Sequence, residues 1–348
     1  MYSTTLNLNV AVTGVGGASG QGIMKALMAS RIRDEESRQV APVLFPVDVN
    51  GMSAGIYRGK GGGTVLPKPE VNIGAWLEWA LEHDIQVILP GSDYDLLPLA
   101  LVRDAWLEEH GIHVLVSNPE MVRIANDKAE TIRFLQTYDI ATPETILAPL
   151  PKLHYPVVVK PRSDAASRGV HVCRDVEELM FHFKRTRNAL IQEHLNGHEY
   201  TCAAYFDRDT GEVYTCIARR TLYAGSTYTA HVAHVPHVAE YVEKVARAFQ
   251  PMGVLNVQLI DTPDRGPVLL EANARCSGST AIRAHFGYNE PQMLIEQYVY
   301  GRRLFQPAYR CGMGFRYWDE LFLEGAAPEE LTGTIGRVEK KGRTSGWL

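Results

Sequence analysis

The sequence predicts an α/β domain with a parallel sheet at residues 1–118, followed by an α+β region at residues 119–310. Strand-like and helix-like stretches alternate over residues 8–118, which is typical of a parallel sheet with helices on both faces. After residue 119 the pattern changes to strand pairs joined by short turns, which indicates antiparallel sheets. Residues 311–348 remain as a C-terminal extension.

The leading region begins with the strand "NVAVTGV" and a helix that opens at "GQGIMKALMAS". The strand "VAPVLFPVD" follows, and then the helix "IGAWLEWALEH", whose large side chains recur at helical spacing. "QVILPG" and "HVLVS" are further strands, and "DLLPLALVRDAWLEEHG" between them is largely helix. This order of elements predicts a Rossmann-like domain.

The second region opens with "PEMVRIANDKAETIRFLQTYD", which is predicted as one helix, and continues through the proline-marked loop "LPKLHYP". The strands that follow are "VVVKP", "VHVC", "ALIQEHL", "YTCAAYFD" and "VYTCIAR". A final hairpin, "LNVQLIDTPDRGPVLLEANAR", has its turn at "TPDRGP".

Composition excludes several classes of function. The chain has 348 residues, a net charge of −5 and a pI of about 6.2, so neither nucleic acid nor an anionic membrane is an expected partner. No apolar run reaches the roughly 18 residues that a membrane span needs, and the N-terminus has no basic region of a secretion signal. Five scattered cysteines without a C-x-x-C motif predict reduced thiols in a cytoplasmic protein.

A glycine-rich turn, "TGVGGASGQG", lies between the first strand and the first helix. Gly14, Gly17 and Gly20 fit the T-G-x-x-G-x-x-G pattern of short-chain dehydrogenases. However, none of the sixteen tyrosines has a lysine four residues on, and Asp48 lies further along than the usual spacing of about 20 residues. A tight turn is therefore the favoured interpretation, with an NAD(P)-dependent oxidoreductase as the alternative.

Lys160 ends a strand just before the small polar loop "RSDAASRGV". An ammonium group beside a flexible hairpin loop suits a phosphate clamp, because backbone N–H groups of such a loop can bind phosphate oxygens. An exposed lysine next to a surface turn is the alternative for this lysine taken alone.

The hairpin at residues 255–275 carries polar side chains at strand positions. One possible register pairs residues of the two strands whose numbers add up to 529. In this register Gln258 faces Glu271 and Asp261 faces Val268. One face then carries Asn256, Gln258, Glu271, Asn273 and Arg275, and the other carries Leu255, Val257, Leu270 and Ala272. A carboxylate with amide oxygens suits Mg²⁺, which takes oxygen ligands and substrate phosphates. A solvated hairpin face is the alternative.

Taken together, these segments resemble an ATP-grasp domain. "NDKAETIRFLQTYDIATPET", "YPVVVKP", "LIQEHLNGHEYT", "LNVQLI" and "LLEANAR" occur in the order and spacing of that family. Within that family the chain resembles the synthetase halves of carbamoyl phosphate synthase and the stand-alone ligases related to them. The resemblance covers about residues 120–301, and residues 1–118 resemble the pre-ATP-grasp domain. It implies a two-part ATP-grasp domain with a mobile lid at about residues 157–190.

The resemblance also implies roles for individual residues. For the phosphates of ATP it implies contacts from Lys128 and Lys160, with Gly169 in the lid and His231 in a loop nearby. For the adenine it implies Glu193, His194 and Leu195, and for the ribose Glu199. For the metal it implies Gln258, Glu271 and Asn273, and for the γ-phosphate and acyl group Arg275.

The chain departs from the carbamoyl phosphate synthase pattern in three places. Gly169 is the one glycine of the lid loop, which predicts a stiffer lid or a different substrate. The chain has one ATP-grasp unit and no glutaminase, so carbamoyl phosphate synthesis is not expected. His231, His234 and His237 follow one another at intervals of three residues, which suggests a zinc site. On a strand, however, residues three apart point to opposite faces, so the three side chains would not meet. A loop near the phosphates that contains His231 is the favoured interpretation.

The resemblance implies an ATP-dependent ligase that activates a carboxylate as an acyl phosphate for attack by an amine, with catalysis by Lys160 and Arg275. Ser277, Gly278 and Ser279 are expected to cradle the carboxylate at a helix N-terminus, with Arg283 as a partner; N-capping by Ser277 or Ser279 is an equally good interpretation. The expected cofactors are ATP and Mg²⁺, with Mn²⁺ as an alternative. The expected partners are a small-molecule carboxylate and amine, and a homodimer stays open. A non-catalytic nucleotide-binding regulator is a further alternative.

Overall fold

The computed structural model describes residues 6–149, 153–163, 168–332, 335–338 and 342–344. The predicted parallel sheet at the N-terminus is confirmed, and its strands lie in the order β3-β2-β1-β4-β5. This order reverses between β1 and β4, and such a switch point is where open α/β sheets bind ligands. The elements of this domain are β1 (Leu6–Thr13), α1 (Ala18–Met28), β2 (Val40–Asp48), a 3-10 helix (Ala54–Arg58), β3 (Gly63–Val65), α2 (Ile73–Glu82), β4 (Val87–Leu89), α3 (Asp93–His110) and β5 (His113–Val114).

The predicted helix after residue 119 is two helices, α4 (Pro119–Asn126) and α5 (Lys128–Gln136). Asp127 between them has an extended backbone, and its carboxylate accepts hydrogen bonds from the N–H groups of Ala129 and Glu130. An Asp in this position caps a new helix, so the chain turns here. The turn makes Lys128 the first residue of α5.

A small sheet with one covering helix forms the segment that was expected to be the lid. Its strands lie in the order β6-β9-β7-β8, and its apolar side chains form a separate small core around Val157, Val159 and Leu179. Because this core shares none of its buried side chains with the other clusters, the segment is built as a unit of its own. Its elements are β6 (Thr145–Ile146), β7 (Val157–Pro161), β8 (His171–Cys173), α6 (Val176–Arg185) and β9 (Ala189–Glu193).

The central sheet is antiparallel, as expected, with strand order β15-β14-β10-β12-β13-β16 and β11 paired to β10. Helix α7 packs on one face over an apolar core that includes Val242 and Phe249. The elements are β10 (His198–Phe206), β11 (Val213–Cys216), β12 (Ala218–Tyr223), β13 (Ser226–Val232), α7 (Pro236–Phe249), β14 (Gly253–Thr262), β15 (Gly266–Asn273), α8 (Thr280–Phe286), α9 (Glu290–Tyr298) and β16 (Gly312–Phe315).

The residues after 311 are not a separate extension of the two domains. β16 pairs with β13 and so belongs to the central sheet. β18 pairs antiparallel with β3 and so adds an antiparallel edge to the otherwise parallel N-terminal sheet. The C-terminal segment therefore connects both sheets. Its remaining elements are β17 (Leu321–Phe322), α10 (Pro328–Leu331), β18 (Gly336–Val338) and β19 (Arg343–Thr344).

The register of the β14–β15 hairpin is confirmed in one half and wrong in the other. Gln258 pairs with Glu271 and Asn256 with Asn273, as predicted. A bulge follows, so Asp261 pairs with Pro267 rather than with Val268. The extra residue is Leu270, and the side chain that packs in the apolar core is Leu269 instead. A bulge changes the face of every residue beyond it, which alternation alone does not reveal.

Candidate active site

Two large cavities among the described residues meet at Arg220 and Gln258, which line both. One, here called the lid cavity, has a volume of about 320 Å³ and lies between the small lid sheet and the central sheet. The other, the interdomain cavity, has a volume of about 590 Å³ and lies between the N-terminal domain and the central sheet. Their shared wall makes them neighbouring compartments of one site.

The lid cavity has a basic end. Lys128 and Lys160 both line it, as the sequence predicts, and Glu271 lies beside them. The Lys128 ammonium is 3.6 Å from Glu271 Oε1, and the Lys160 ammonium donates to the Leu270 carbonyl at 3.4 Å. Burial, and after it the charge of Lys128, lower the pKa of Lys160 to about 8, although Glu271 opposes the shift. This group of charges suits phosphate oxygens.

The other end of the lid cavity combines apolar side chains with backbone groups. Glu193, His194 and Leu195, at the end of β9 and just after it, line this end together with Val158 and Ile260. The Glu193 carboxylate is held away from the strand by Arg265 at 2.9 Å and by the Glu144 N–H at 2.9 Å. An apolar slot beside the chain that leaves β9 fits a flat heteroaromatic ring.

Arg220 was not identified from the sequence. Its guanidinium donates to Glu199 Oε1 at 2.6 Å and to Gln258 Oε1 at 2.8 Å. Glu199 lines the lid cavity as expected, but its carboxylate binds this arginine. The side-chain oxygen of Gln258 is likewise engaged by a cation, so it is not free for a metal in this arrangement.

The predicted metal ligands differ in position. Glu271 lines the lid cavity next to Lys128. Asn273 lies two residues on along β15, is buried, and is not among the residues that line either cavity. No group of three or more His, Cys, Asp or Glu side chains in the described ranges is arranged to hold a metal by itself. One carboxylate with an amide still fits Mg²⁺, since this ion takes much of its coordination from phosphates and water.

Arg275 lines the interdomain cavity and not the lid cavity. Its guanidinium forms a two-pronged ion pair with Asp93 of α3, with Nε–Oδ1 at 2.5 Å and Nη2–Oδ2 at 2.7 Å. Burial favours the neutral form of Asp93, but Arg275 outweighs it and holds the pKa of Asp93 below its usual range. The pair joins the central sheet to the N-terminal domain.

The segment "SGS" after β15 lines the interdomain cavity, as the sequence predicts for Ser277, Gly278 and Ser279. Ser279 occupies the N-cap of α8, but its hydroxyl donates to Thr227 instead of capping the helix. The expectation that Arg283 contacts substrate is wrong, because Arg283 is fully buried. It pairs with Glu290 at 2.6 Å and donates to the Ser277 hydroxyl at 2.9 Å, so it positions Ser277 from behind.

The glycine-rich turn after β1 forms part of the interdomain cavity through Gly14, Gly16 and Gly17. Gly14 has a φ of +60°, and a side chain there would meet Ser92 of the neighbouring loop. The Gly16 N–H donates to Asp48 Oδ2 at 2.7 Å. The turn is therefore tight for reasons of packing, which agrees with the favoured interpretation of its glycines.

The histidine segment does not form a loop over the phosphates. His231 lies in β13, paired with Arg219 and Met313, and so is on the sheet face opposite to Arg220. His234 packs on Tyr309 with ring centroids 4.5 Å apart, and His237 Nε2 is 2.9 Å from Asp261 Oδ2. His234 and His237 thus have different partners. His231 lies in a strand instead of the expected loop and lines neither cavity, so the structure does not place it beside the phosphates.

Gly169 lies in the lid with a φ of +68°, a conformation that favours glycine. The adjacent Arg168 lines the lid cavity, and its guanidinium donates to the Tyr94 hydroxyl at 3.1 Å. Tyr94 lines the interdomain cavity. A side chain of the lid therefore reaches the N-terminal domain.

A family model described as ATP-grasp in the biosynthetic pathway with Ter operon matches residues 185–316. The D-alanine–D-alanine ligase of Petrotoga mobilis is 33% identical over 102 residues, which cover 27% of this chain and 34% of that protein. The chain thus matches about a third of the length of this curated relative.

Solved structures resemble nearly the whole chain. The L-amino acid ligase of Bacillus licheniformis has a TM-score of 0.64 at 16% identity, covering 88% of this chain and 75% of that one. The biotin carboxylase domain of the Hydrogenobacter thermophilus 2-oxoglutarate carboxylase, solved as a dimer with MgADP, ADP and bicarbonate, has a TM-score of 0.65 at 14% identity, covering 97% and 84%. At this level of identity the likeness shows a common fold. None of the described helices is long and apolar enough to cross a membrane.

Proposed function

We propose that this chain, which has the ATP-grasp fold and matches an ATP-grasp family model, is an ATP-dependent ligase that joins a carboxylate to an amine. The observation that carries the proposal is that the two cavities adjoin. A compartment with Lys128, Lys160 and Glu271 shares Arg220 and Gln258 as lining residues with a second compartment. A phosphate site that adjoins a separate substrate site is what phosphoryl transfer to a second molecule requires.

The nucleotide would lie in the lid cavity with its base at the end of β9. Glu193, His194 and Leu195 would offer backbone groups to the adenine edge, and Glu199 would approach the ribose. Lys128 and Lys160 would face the phosphates, with Gly169 in the covering loop. Mg²⁺ at Glu271 would supply positive charge to the β- and γ-phosphates, and Mn²⁺ offers the same ligand chemistry. The buried amide of Asn273, two residues on along β15, would have to turn towards the lid cavity to serve as a second ligand.

In the proposed reaction a carboxylate oxygen attacks the γ-phosphorus, and the bond to ADP breaks. The nitrogen of the neutral amine then attacks the acyl carbon, phosphate leaves with the carboxylate oxygen, and the nitrogen loses one proton to that phosphate as the amide forms. Lys160 and Arg220 would place positive charge near the transferring group. Ser277, Gly278 and Ser279 line the wall where the carboxylate would lie. Arg275 is placed to act from the interdomain side, with Asp93 fixing its orientation.

Further features support proposals on the location of the protein, the size of its substrates and its oligomeric state. The five cysteines are unpaired thiols, four of them buried, which supports action in the reducing cytoplasm. The substrates are proposed to be small molecules because the interdomain cavity has a volume of about 590 Å³. A homodimer remains a proposal, supported by the dimeric state of the Hydrogenobacter thermophilus carboxylase domain.

A screen of carboxylate and amine pairs tests the proposal, with ADP, phosphate and the amide product measured together. We expect ADP to form only with a matching pair of substrates. The variant Lys160→Met should form none. Lys184→Met, an exposed lysine on α6, is the matched control and should retain activity. ATP with Mg²⁺ should raise the melting temperature, and NADH should not. Stabilisation by NADH alone would favour the oxidoreductase, and ATP binding without turnover for any pair would favour a regulator.

A further inference from the structure

The charges that line the interdomain cavity are not all matched. Arg275 is paired with Asp93, and Arg220 is paired with Glu199 at the junction with the lid cavity. Asp48 and Asp95 on the N-terminal wall form no ion pair with any described residue. The N-terminal wall therefore carries unmatched negative charge.

Asp48 and Asp95 are both more than nine-tenths buried, with exposed fractions of 8% and 5%. Asp48 accepts only backbone N–H groups, from Gly16 at 2.7 Å and Asn50 at 3.1 Å. Asp95 Oδ2 accepts from the Thr13 hydroxyl at 2.5 Å, whereas no described residue donates to Oδ1. Since Asp95 lines the cavity, this second oxygen is available to a molecule inside it.

A buried carboxylate without a cation is costly, because hydrogen bonds from neutral groups replace only part of its lost hydration. Burial, with a smaller contribution from the nearby charge of Asp48, raises the pKa of Asp95 to about 7, although the hydrogen bond from Thr13 opposes the shift. Asp48 ends β2, and Asp95 lies in the first turn of α3, the helix that follows β4; β2 and β4 flank β1, and open α/β sheets bind ligands at such a point. A positively charged ligand placed here would remove both penalties.

We propose that the N-terminal wall of the interdomain cavity binds the amine substrate as an ammonium ion, with Asp95 Oδ1 and the Asp48 carboxylate as its acceptors. The ammonium would give one proton to Asp95, so that the neutral nitrogen attacks, and the second proton lost on amide formation would leave with the phosphate. This inference rests on the proposed function and assigns one of its two substrates to a wall of the cavity. A protonated amine suits the site better than a metal, because no three carboxylates, imidazoles or thiolates of the described residues are arranged to hold a metal, and Asp93, which also lines the cavity, is paired with Arg275.

The opposite wall fits this assignment. Arg316 lines it, and its guanidinium donates to the Gly278 carbonyl at 2.6 Å but forms no ion pair with any described residue. The acidic groups on one wall lack a cation and so fit a cationic substrate. The guanidinium on the other wall lacks an anion and so fits an anionic substrate bound at the same time. The amine would then lie on the N-terminal side and the carboxylate beside Ser277, Gly278 and Ser279.

Asp95→Asn tests the proposal with two readouts. The KM for the amine should rise about ten- to hundredfold while the KM for ATP stays within twofold, since one charged acceptor is lost. The melting temperature of the ligand-free protein at pH 8 should rise, because a neutral amide removes the unpaired charge and can still accept from Thr13. Asp104→Asn, on the exposed side of the same helix, is the control and should change neither value.

A second measurement does not depend on turnover. At pH 8, propylammonium chloride should raise the melting temperature of the wild type more than 1-propanol or potassium chloride at equal concentration. The double variant Asp48→Asn/Asp95→Asn should lose this difference. Equal responses of wild type and double variant would overturn the proposal, as would an unchanged amine KM in an active Asp95→Asn enzyme. Absence of ligase activity in the wild type contradicts the proposed function instead, and leaves the propylammonium result to decide the site.

Discussion

Arg275 of the central sheet and Asp93 of the N-terminal domain are joined by two short contacts, Nε–Oδ1 at 2.5 Å and Nη2–Oδ2 at 2.7 Å. A planar guanidinium that meets both oxygens of a carboxylate is held in one orientation. The contact lies where α3 begins and where β15 has ended, at the wall of the interdomain cavity. It therefore fixes the position of one domain relative to the other at the site itself.

Asp93→Asn should lower the free energy of unfolding by about 1–3 kcal/mol, since a charged hydrogen-bond partner of a mostly buried arginine is lost. A double-mutant cycle with Arg275→Gln measures the coupling, which we expect to exceed about 1 kcal/mol. The exposed pair Arg133–Glu130, at 2.8 Å, is the control and should give less than about 0.5 kcal/mol. Equal coupling in both pairs would contradict the importance assigned to the Arg275–Asp93 contact.

The same pair has a defined pH dependence. The pKa of Asp93 is depressed in the folded state, so its contribution is complete above the unfolded pKa of about 3.9 and is lost as the pH falls below it. Wild type and Asp93→Asn should therefore differ most in stability near neutral pH and converge under acid conditions. Chemical unfolding at a series of pH values measures this difference.

Glu271→Ala should reduce turnover about a hundredfold or more, because it removes the carboxylate that faces the phosphate site next to Lys128. The fold should survive, since Glu271 lines a cavity and packs in none of the apolar cores. Glu240→Ala, an exposed residue of α7, is the control for a generic loss of one carboxylate. Steady-state rates at saturating ATP and a range of Mg²⁺ concentrations provide the measurement. Near-normal activity of Glu271→Ala would remove Glu271 from the metal site.

Lys160 should set the upper end of the pH range in which the enzyme is active. Its pKa is lowered to about 8, chiefly by burial and then by Lys128, so kcat/KM for ATP should fall as the pH rises through about 8. Bound phosphates favour the charged ammonium, so kcat should fall only at higher pH. Lys160→Arg should shift the limit upward, because arginine stays protonated. Identical pH profiles for wild type and Lys160→Arg would contradict this role.

The stability effect of Lys160 has the opposite sign from that of an ion-paired lysine. The folded pKa lies below the unfolded value of about 10.4, so the folded protein releases its proton first and stability rises between about pH 8 and pH 10.4. Lys160→Met should therefore be more stable than wild type at pH 7 without nucleotide, and this advantage should vanish above about pH 10.4. Thermal unfolding at both pH values gives the comparison.

The segment at about residues 157–190 should become protected when ATP and Mg²⁺ bind. Its small core around Val157, Val159 and Leu179 is separate from the other cores, so it can move or open without disrupting them. Hydrogen exchange with and without nucleotide measures the effect. Tyr94→Phe, which removes the acceptor of the Arg168 guanidinium, should weaken the protection, and Tyr138→Phe at another exposed tyrosine should not. Unchanged exchange in wild type on nucleotide binding would count against a closing lid.

The sequence predicted those parts of the site that a local pattern specifies. Lys160 was recognisable because a strand ends there before a polar loop, and Glu271 because a carboxylate stands at a strand position in an apolar run. The β14–β15 register was predictable up to Gln258, and failed beyond it because the bulge at Leu270 leaves no mark in the alternation.

Residues whose role comes from distant pairing could not be found in this way. Arg220 is one of two adjacent arginines in β12, and only the fold shows that it faces Glu199 and Gln258. Asp93 lies 182 positions before Arg275, and nothing near either residue indicates the pair. The prediction that Arg283 contacts the substrate was wrong for the opposite reason. Arg283 follows a segment that does line the cavity, but its ion pair with Glu290 holds it in the interior.

The final prediction follows the oxygen atoms of the reaction. Lys128, Lys160 and Glu271 line the part of the lid cavity that suits phosphates, beside the junction with the interdomain cavity at Arg220 and Gln258. Charge is thus concentrated where a terminal phosphate would meet the second substrate, which favours attack at the γ-phosphorus and release of ADP. A carboxylate substrate labelled with ¹⁸O should therefore transfer one labelled oxygen to the released phosphate in each turnover, as read by mass spectrometry. Labelled water with unlabelled carboxylate is the control and should leave that phosphate unlabelled. AMP and pyrophosphate as products, or label that stays out of the phosphate, would refute the acyl-phosphate route even if the amide is formed.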